Sequence, residues 1–199
     1  MADARELALR PASSGVGARR ERAPGEAALL RAAQRGSAAA MEELFRRHWP
    51  AAHRAAWLVV HDAAAAEDIA QEAFLAAVRS LDRFDRRRPF APWLHRIAVN
   101  RAIDYARARG IRREVAADAV GEVAATGPGD TDGAPSAEVI AALAALAPEQ
   151  RAVIVMRHLL GFTPGEIARA LGLPRGTVNS RLRRGLDALR EPLGGEEQP

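Results

Sequence analysis

The stretch AEDIAQEAF, from Ala66 to Phe74, places Glu67, Asp68 and Glu72 within one short segment. Carboxylates at that spacing could bind a metal, share a proton as an acid–base pair, form a solvated face or dock a basic partner. Metal and catalytic chemistry find little support elsewhere in the chain. A carboxylate-bridged helical bundle pairs Glu with a His three residues later, and no glutamate here has one. His48, His53, His61, His95 and His158 are scattered, without close ligand spacing. Cysteine is absent, which removes disulfides, thiolate metal sites and cysteine nucleophiles. There is no lysine for a P-loop and no Gly-x-Ser-x-Gly segment. No enzyme activity and no cofactor are expected.

A wheel projection of the same stretch separates two faces. Ala66, Ile69, Ala70, Ala73, Phe74 and Ala77 share one side, as a core face would. Asp68, Gln71, Glu72 and Leu75 form a stripe on the other, at i, i+3, i+4 and i+7. Asp68 and Glu72 are like charges at i, i+4, which costs a few tenths of a kcal/mol. Leu75 extends the stripe where solvent would favour a polar residue. An acidic stripe with an apolar end fits a basic, partly apolar partner; a solvated face with one stray leucine is the plainer alternative.

A second concentration is basic. Between Phe90 and Arg113 six arginines (96, 101, 107, 109, 112 and 113) meet one acid, Asp104. Arg86 to Pro89 reads as a loop, with a helix beginning near Pro92. On that helix Arg96, Asn100 and Arg107 align, with Trp93 and Asp104 at the margins; Leu94, Ala98, Ala102, Tyr105 and Ala106 face the other way. Guanidinium groups beside an Asn suit phosphate contact and base recognition. A solvated arginine helix with Trp93 in the core fits as well.

The third feature is GFTPGEIARALGLPRGTVNSRLRRGLDAL, Gly161 to Leu189. Thr163 and Glu166 are spaced as a capping box, with Pro164 at the first helical position. Ile167, Ala168 and Leu171 give that helix an apolar face, and Gly172 is placed to end it in a left-handed conformation. A second helix begins near Pro174 or Arg175. Val178, Leu182, Gly185, Leu186 and Leu189 share its inner face; Gly176, Ser180, Arg183 and Arg184 lie opposite, flanked by Asn179 and Arg181. This pattern is a helix-turn-helix whose outer face suits the DNA major groove.

Composition sets the elements that carry these groups. The chain has 199 residues, 48% hydrophobic and only 5% aromatic, with 29 basic and 25 acidic residues. Alanine and arginine dominate, favouring helices packed through small and aliphatic side chains. The fold class is predicted as all-α: two small helical domains joined by a flexible linker. Residues 1–25 read as a disordered tail, 26–113 as the first domain, 114–136 as an acidic linker, 137–192 as the second domain and 193–199 as a frayed end. Such a linker spans roughly 26 Å on average and on the order of 75 Å when extended. No apolar run reaches membrane-span length and no signal peptide is evident, so a cytoplasmic protein without membrane insertion is expected.

Taken together, AEDIAQEAF, then F…PWLHRIAVNRAIDYAR, then LAPEQRAVIVMRHLLGFTPGEIARALGLPRGTVNSRLRRGL resemble, in order and spacing, the sigma-70 family of bacterial sigma factors, in its small extracytoplasmic-function (ECF) group. The resemblance covers about residues 26 to 192. It implies a non-enzymatic promoter-specificity subunit whose first domain is region two and second is region four. Core RNA polymerase would be the partner, through its β′ clamp helices and β flap, with promoter DNA and an anti-sigma factor. It assigns Asp68, Gln71 and Glu72 to polymerase docking, and Leu75, the apolar end of the same stripe, is expected at the edge of that contact. Arg86, Arg87, Arg88, Phe90, Trp93, Arg96, Asn100 and Arg107 would bind the −10 element around a flipped base. Arg175, Thr177, Asn179, Ser180, Arg183 and Arg184 would read the −35 element. Asn179 and Gly185 depart from the family's common residues; Asn favours adenine where Arg favours guanine. A conventional helix-turn-helix regulator with a sensing or dimerising first domain is the alternative.

Overall fold

The computed structural model describes residues 25–115 and 136–193; the N-terminal tail, most of the linker and the C-terminal end predicted from sequence lie outside the described residues. Eight α-helices are described: α1 (Glu26–Gln34), α2 (Ala38–Val60), α3 (Ala63–Ser80), α4 (Phe90–Val115), α5 (Ala137–Ala145), α6 (Pro148–Ile154), α7 (Pro164–Leu171) and α8 (Arg175–Leu193). A short 3₁₀ turn, Leu81–Arg83, follows α3, and a π-turn, Val155–Leu159, follows α6. No strand occurs among the described residues.

Local chemistry starts and stops these helices. The Ser37 and Asp62 side chains accept from Ala40 N (3.3 Å) and Ala65 N (3.1 Å), opening α2 and α3. Ser136 does the same for α5 through Val139 N. The first turn of α4 is satisfied from a distance: Glu26 Oε1 accepts from Phe90 N at 3.0 Å, across 64 residues of chain.

The first module packs α1 on α2, with α2, α3 and α4 mutually in contact. Leu30, Leu44, Phe74, Phe90 and Leu94 lie in one core cluster there. In the second, α5, α6 and α7 pack on α8. The modules meet: α2 contacts α5 and α6, and α4 contacts α6 and α7. A shared apolar cluster joins Val59, Val99 and Ile103 to Val153, Met156 and Phe162, because each module alone would leave an apolar face uncovered.

Candidate functional site

The acidic stripe rests on a rigid backing. Ala66, Ile69, Ala70, Ala73, Phe74 and Ala77 are all buried, none above 6% exposure. Asp68, Gln71 and Glu72 are exposed, and Leu75 is 53% exposed. Gln71 Nε2 donates to Glu67 Oε1 at 3.3 Å, and Arg101 from α4 approaches Glu72 at 3.6 Å. Exposed pairs of that kind are weak and leave the carboxylates open to a partner. Next to the stripe Val78 is also exposed, and so is Phe45 of α2, whose ring packs on Phe74 at 4.8 Å.

The basic side of the first module is less uniform than its sequence suggested. Arg86, Arg87 and Arg88 are exposed on the turn before α4, with Arg87 Nε held by Asp85 at 3.0 Å. Phe90 is not available to a nucleic-acid base. It is 2% exposed, T-shaped against Phe84 and beside Trp93. An aromatic residue at a helix start just after an arginine loop is an apolar anchor here, because burial of the ring outweighs its position. Trp93 is half-buried, its ring tilted against Phe84 at 4.6 Å. Arg96 is exposed.

Two further groups on α4 turn toward the second module. Asn100 Nδ2 donates to Ala170 O at 3.3 Å, and Arg107 Nε donates to Glu149 Oε1 at 2.7 Å. Arg101 and Arg109 turn the other way, Arg109 onto Asp62 at 3.0 Å. Between the modules lies a cleft of about 780 Å³, lined by Arg83, Arg88, Trp93 and Arg96 from one side and Phe162 and Arg169 from the other.

The helix-turn-helix forms as its sequence dictates. Thr163 N donates to Glu166 Oε2 at 2.8 Å and Glu166 N to Thr163 Oγ1 at 3.3 Å, completing the capping box. The bond from the Thr163 backbone N–H, and a second from the Thr163 hydroxyl to the same oxygen at 2.7 Å, hold the Glu166 carboxyl below its ordinary range. Gly172 leaves α7 at φ 64°. Val178 and Ile167 are fully buried. Gly185 is buried against Ile154: a Cβ there would sit 2.6 Å from Ile154 Cδ1. Close packing of α8 on α6 therefore favours this glycine. Arg175, Asn179, Arg183 and Arg184 are exposed on the outer face, and Thr177 is half-buried. Ser180 donates its hydroxyl to Thr177 O at 2.9 Å, so that proton is committed within the helix.

Sequence inspection missed Arg151, His61 and Glu149. Arg151 reads as an ordinary helix-surface arginine in PEQRAV, yet it is 8% exposed. The signal for His61 was its place before the α3 N-cap Asp62, where α2 must end. Burial, then the Arg151 charge, pushes His61 down to about 4; burial and the His48 charge do the same for His95. Among the described residues no group of three or more His, Cys, Asp or Glu could hold a metal ion, and no helix is long and apolar enough to cross a membrane.

Two helical modules, one with an acidic stripe and a basic helix and one with an exposed helix-turn-helix, define a bipartite all-helical DNA-binding architecture. Family models agree: Sigma-70 region 2 matches residues 44–111, and Sigma-70, region 4 matches residues 136–189. The chain is 36% identical to the ECF RNA polymerase sigma factor SigM of Mycobacterium tuberculosis, over 90% of this chain and 89% of that protein. It is 37% identical to SigE of Mycolicibacterium smegmatis, over 79% of this chain but 64% of that relative. Among solved structures, CnrH in complex with the cytosolic domain of CnrY superposes with a TM-score of 0.61 at 29% identity, covering 86% of this chain and 99% of that one. The chain belongs to the sigma-70 family of RNA polymerase sigma factors, in the ECF group.

Proposed function

We propose that this protein is a promoter-specificity subunit that binds core RNA polymerase, delivers it to a two-part promoter and assists opening at the −10 element. Asp68, Gln71, Glu72 and Leu75 dock the polymerase β′ clamp helices. Arg86, Arg87, Arg88, Arg96, Asn100 and Arg107 engage the −10 element, with the half-buried Trp93 beside them. Arg175, Thr177, Asn179, Ser180, Arg183 and Arg184 face the −35 duplex, and the same module meets the β flap. The protein performs no bond chemistry of its own; phosphodiester formation belongs to the polymerase. It works in the cytoplasm and is held by an anti-sigma factor until released.

The observation that carries this is the stripe on α3. Its acids are exposed, weakly paired and set on a fully buried face, so they present a preorganised surface at little ordering cost. Replacing Asp68 and Glu72 with Arg together (D68R/E72R) tests it. Co-purification with core polymerase should be lost while the circular dichroism spectrum stays unchanged. Retention of the polymerase by the double variant ends the docking assignment. Run-off transcription with core enzyme separates the proposal from a conventional regulator, which would footprint promoter duplex equally well alone.

A further inference from the structure

The arginine loop before α4 has little in its own sequence to fix its shape. Arg88 N donates to Asp85 O at 2.9 Å, and the Asp85 carboxylate takes Arg87. Arg86 and Arg88 are exposed. Pro89 stands at the N-cap position of α4. It has neither a hydroxyl nor a carboxylate to receive the first N–H groups of that helix, so the end of the loop must be held from elsewhere.

The two ends of α1 hold it. Gln34, the last residue of α1, donates from Nε2 to Leu81 O at 2.9 Å and to Phe84 O at 3.2 Å. That amide nitrogen carries two N–H groups, and both carbonyls lie just before the loop. Glu26, the first residue of α1, accepts from Phe90 N at 3.0 Å, just after the loop. Its other oxygen lies 3.3 Å from His48 Nε2 on α2, and its charge faces the positive end of the α4 dipole. The two residues are roughly 12 Å apart along the helix axis. Between them Leu29, Leu30 and Ala33 are buried in one cluster with Leu81, Phe84 and Phe90, so α1 is itself fixed against the segment it holds.

We propose that Glu26 and Gln34 are positioning residues that make α1 a brace, setting the arginine loop in the shape that receives the opened DNA strand. Each acts through the backbone of the loop. Phe84 links the two ends: its carbonyl is bonded to Gln34, and its ring packs on Phe90 and Trp93. A loop already fixed at both ends gives up less freedom when its arginines meet phosphates, and that difference appears as affinity. The role rests on the −10 assignment above; the brace itself follows from the geometry of α1 alone.

The test uses the full chain. Gln34→Met keeps a long unbranched side chain and deletes both donors. Glu26→Ala deletes the acceptor, and Glu26→Gln keeps an oxygen for Phe90 N as the conservative rescue. Trypsin cuts after arginine, so cleavage after Arg86, followed by mass spectrometry, reports opening of the loop. A hydrogen bond is worth about two- to tenfold in such an equilibrium. Cleavage there should quicken by that factor in Gln34→Met and Glu26→Ala and return toward the parent rate in Glu26→Gln. Cleavage after Arg190 on α8 should not change; equal acceleration at both places marks general loosening and overturns the brace, as does an unchanged rate after Arg86. Gln34→Met carries the test if Glu26→Ala loses helical signal. Anisotropy with a fluorescent single-stranded DNA of mixed sequence should show affinity lowered about two- to tenfold in the two disruptive variants. The double variant R86A/R88A separates the proposal from the reading beneath it. Where R86A/R88A weakens strand binding and the α1 variants do not, the positioning role is overturned and the −10 assignment stands. Where R86A/R88A also binds as the parent does, the −10 assignment falls and the positioning role falls with it.

Discussion

Leu75→Ala isolates the apolar end of the stripe proposed to dock the polymerase. Fully burying a leucine side chain is worth roughly 1.5–3 kcal/mol. Leu75 keeps 53% of its surface exposed in the free protein, so a partner that covers it gains roughly half, about 0.8–1.6 kcal/mol. Truncation should therefore weaken core-polymerase binding about four- to fifteen-fold. The free fold should barely notice, because the lost carbons face solvent; the melting temperature should stay within the scatter of a surface substitution, about 0.5 kcal/mol. Titrating dye-labelled protein with core enzyme at two salt concentrations gives a further check. Loss of an apolar contact leaves the salt dependence unaltered, whereas loss of Asp68 or Glu72 flattens it. Unchanged affinity places Leu75 outside the contact. A matching fall in melting temperature makes it a structural residue of α3, and either result refutes the docking role given to it.

Arg183→Ala or Arg184→Ala should weaken −35 duplex binding by about 1–3 kcal/mol if the side chain reads a base, or lower the salt slope by about one unit if it touches phosphate; gel-shift titrations across salt distinguish the two. Gly185→Ala should gain up to about 1 kcal/mol of helix propensity but lose about 1–3 kcal/mol by crowding, since its methyl meets Ile154 Cδ1 at 2.6 Å. Thermal melting should show net destabilisation, reversed when Ile154→Val deletes that methyl. Acid should also destabilise the chain. His61 and His95 are held neutral, both titrating near 4 against an ordinary 6.5, so the unfolded state binds more protons; stability is intact above about 6.5 and lost as pH falls through 4. By pH 4 each contributes a loss of up to about 3 kcal/mol, and urea melts at pH 7 and 4.5 should diverge, with His61→Gly narrowing the gap.

Within each module, much of this was legible from sequence because the determinants are local. The alternation of Ala, Ile and Phe on α3 marks its buried face whatever it packs against, and Thr163, Glu166 and Gly172 fix the ends of α7 through bonds spanning three or four residues. Phe90 was misread because its partners are distant. The carboxylate that caps it, Glu26, lies 64 residues away, and beside the neighbouring rings of Phe84 and Trp93 the His48 ring of α2 packs on it at 5.1 Å. A loop of arginines with an aromatic residue is the same composition whether the ring stacks on a base or plugs a core; only the fold decides.

The association of the modules was hidden for a related reason. Arg151, Asn100 and Arg107 are residue types that normally face solvent, so no pattern distinguishes those that bind another part of the chain from those kept for a partner. The structure separates them. Asn100 and Arg107 on α4 have intramolecular partners, whereas Arg175, Asn179, Arg183 and Arg184 on α8 have exposed side chains without a hydrogen bond or ion pair among the described residues. The molecule thus displays the helix proposed for the −35 duplex, while two of the groups proposed for the −10 element are bonded to its own second module.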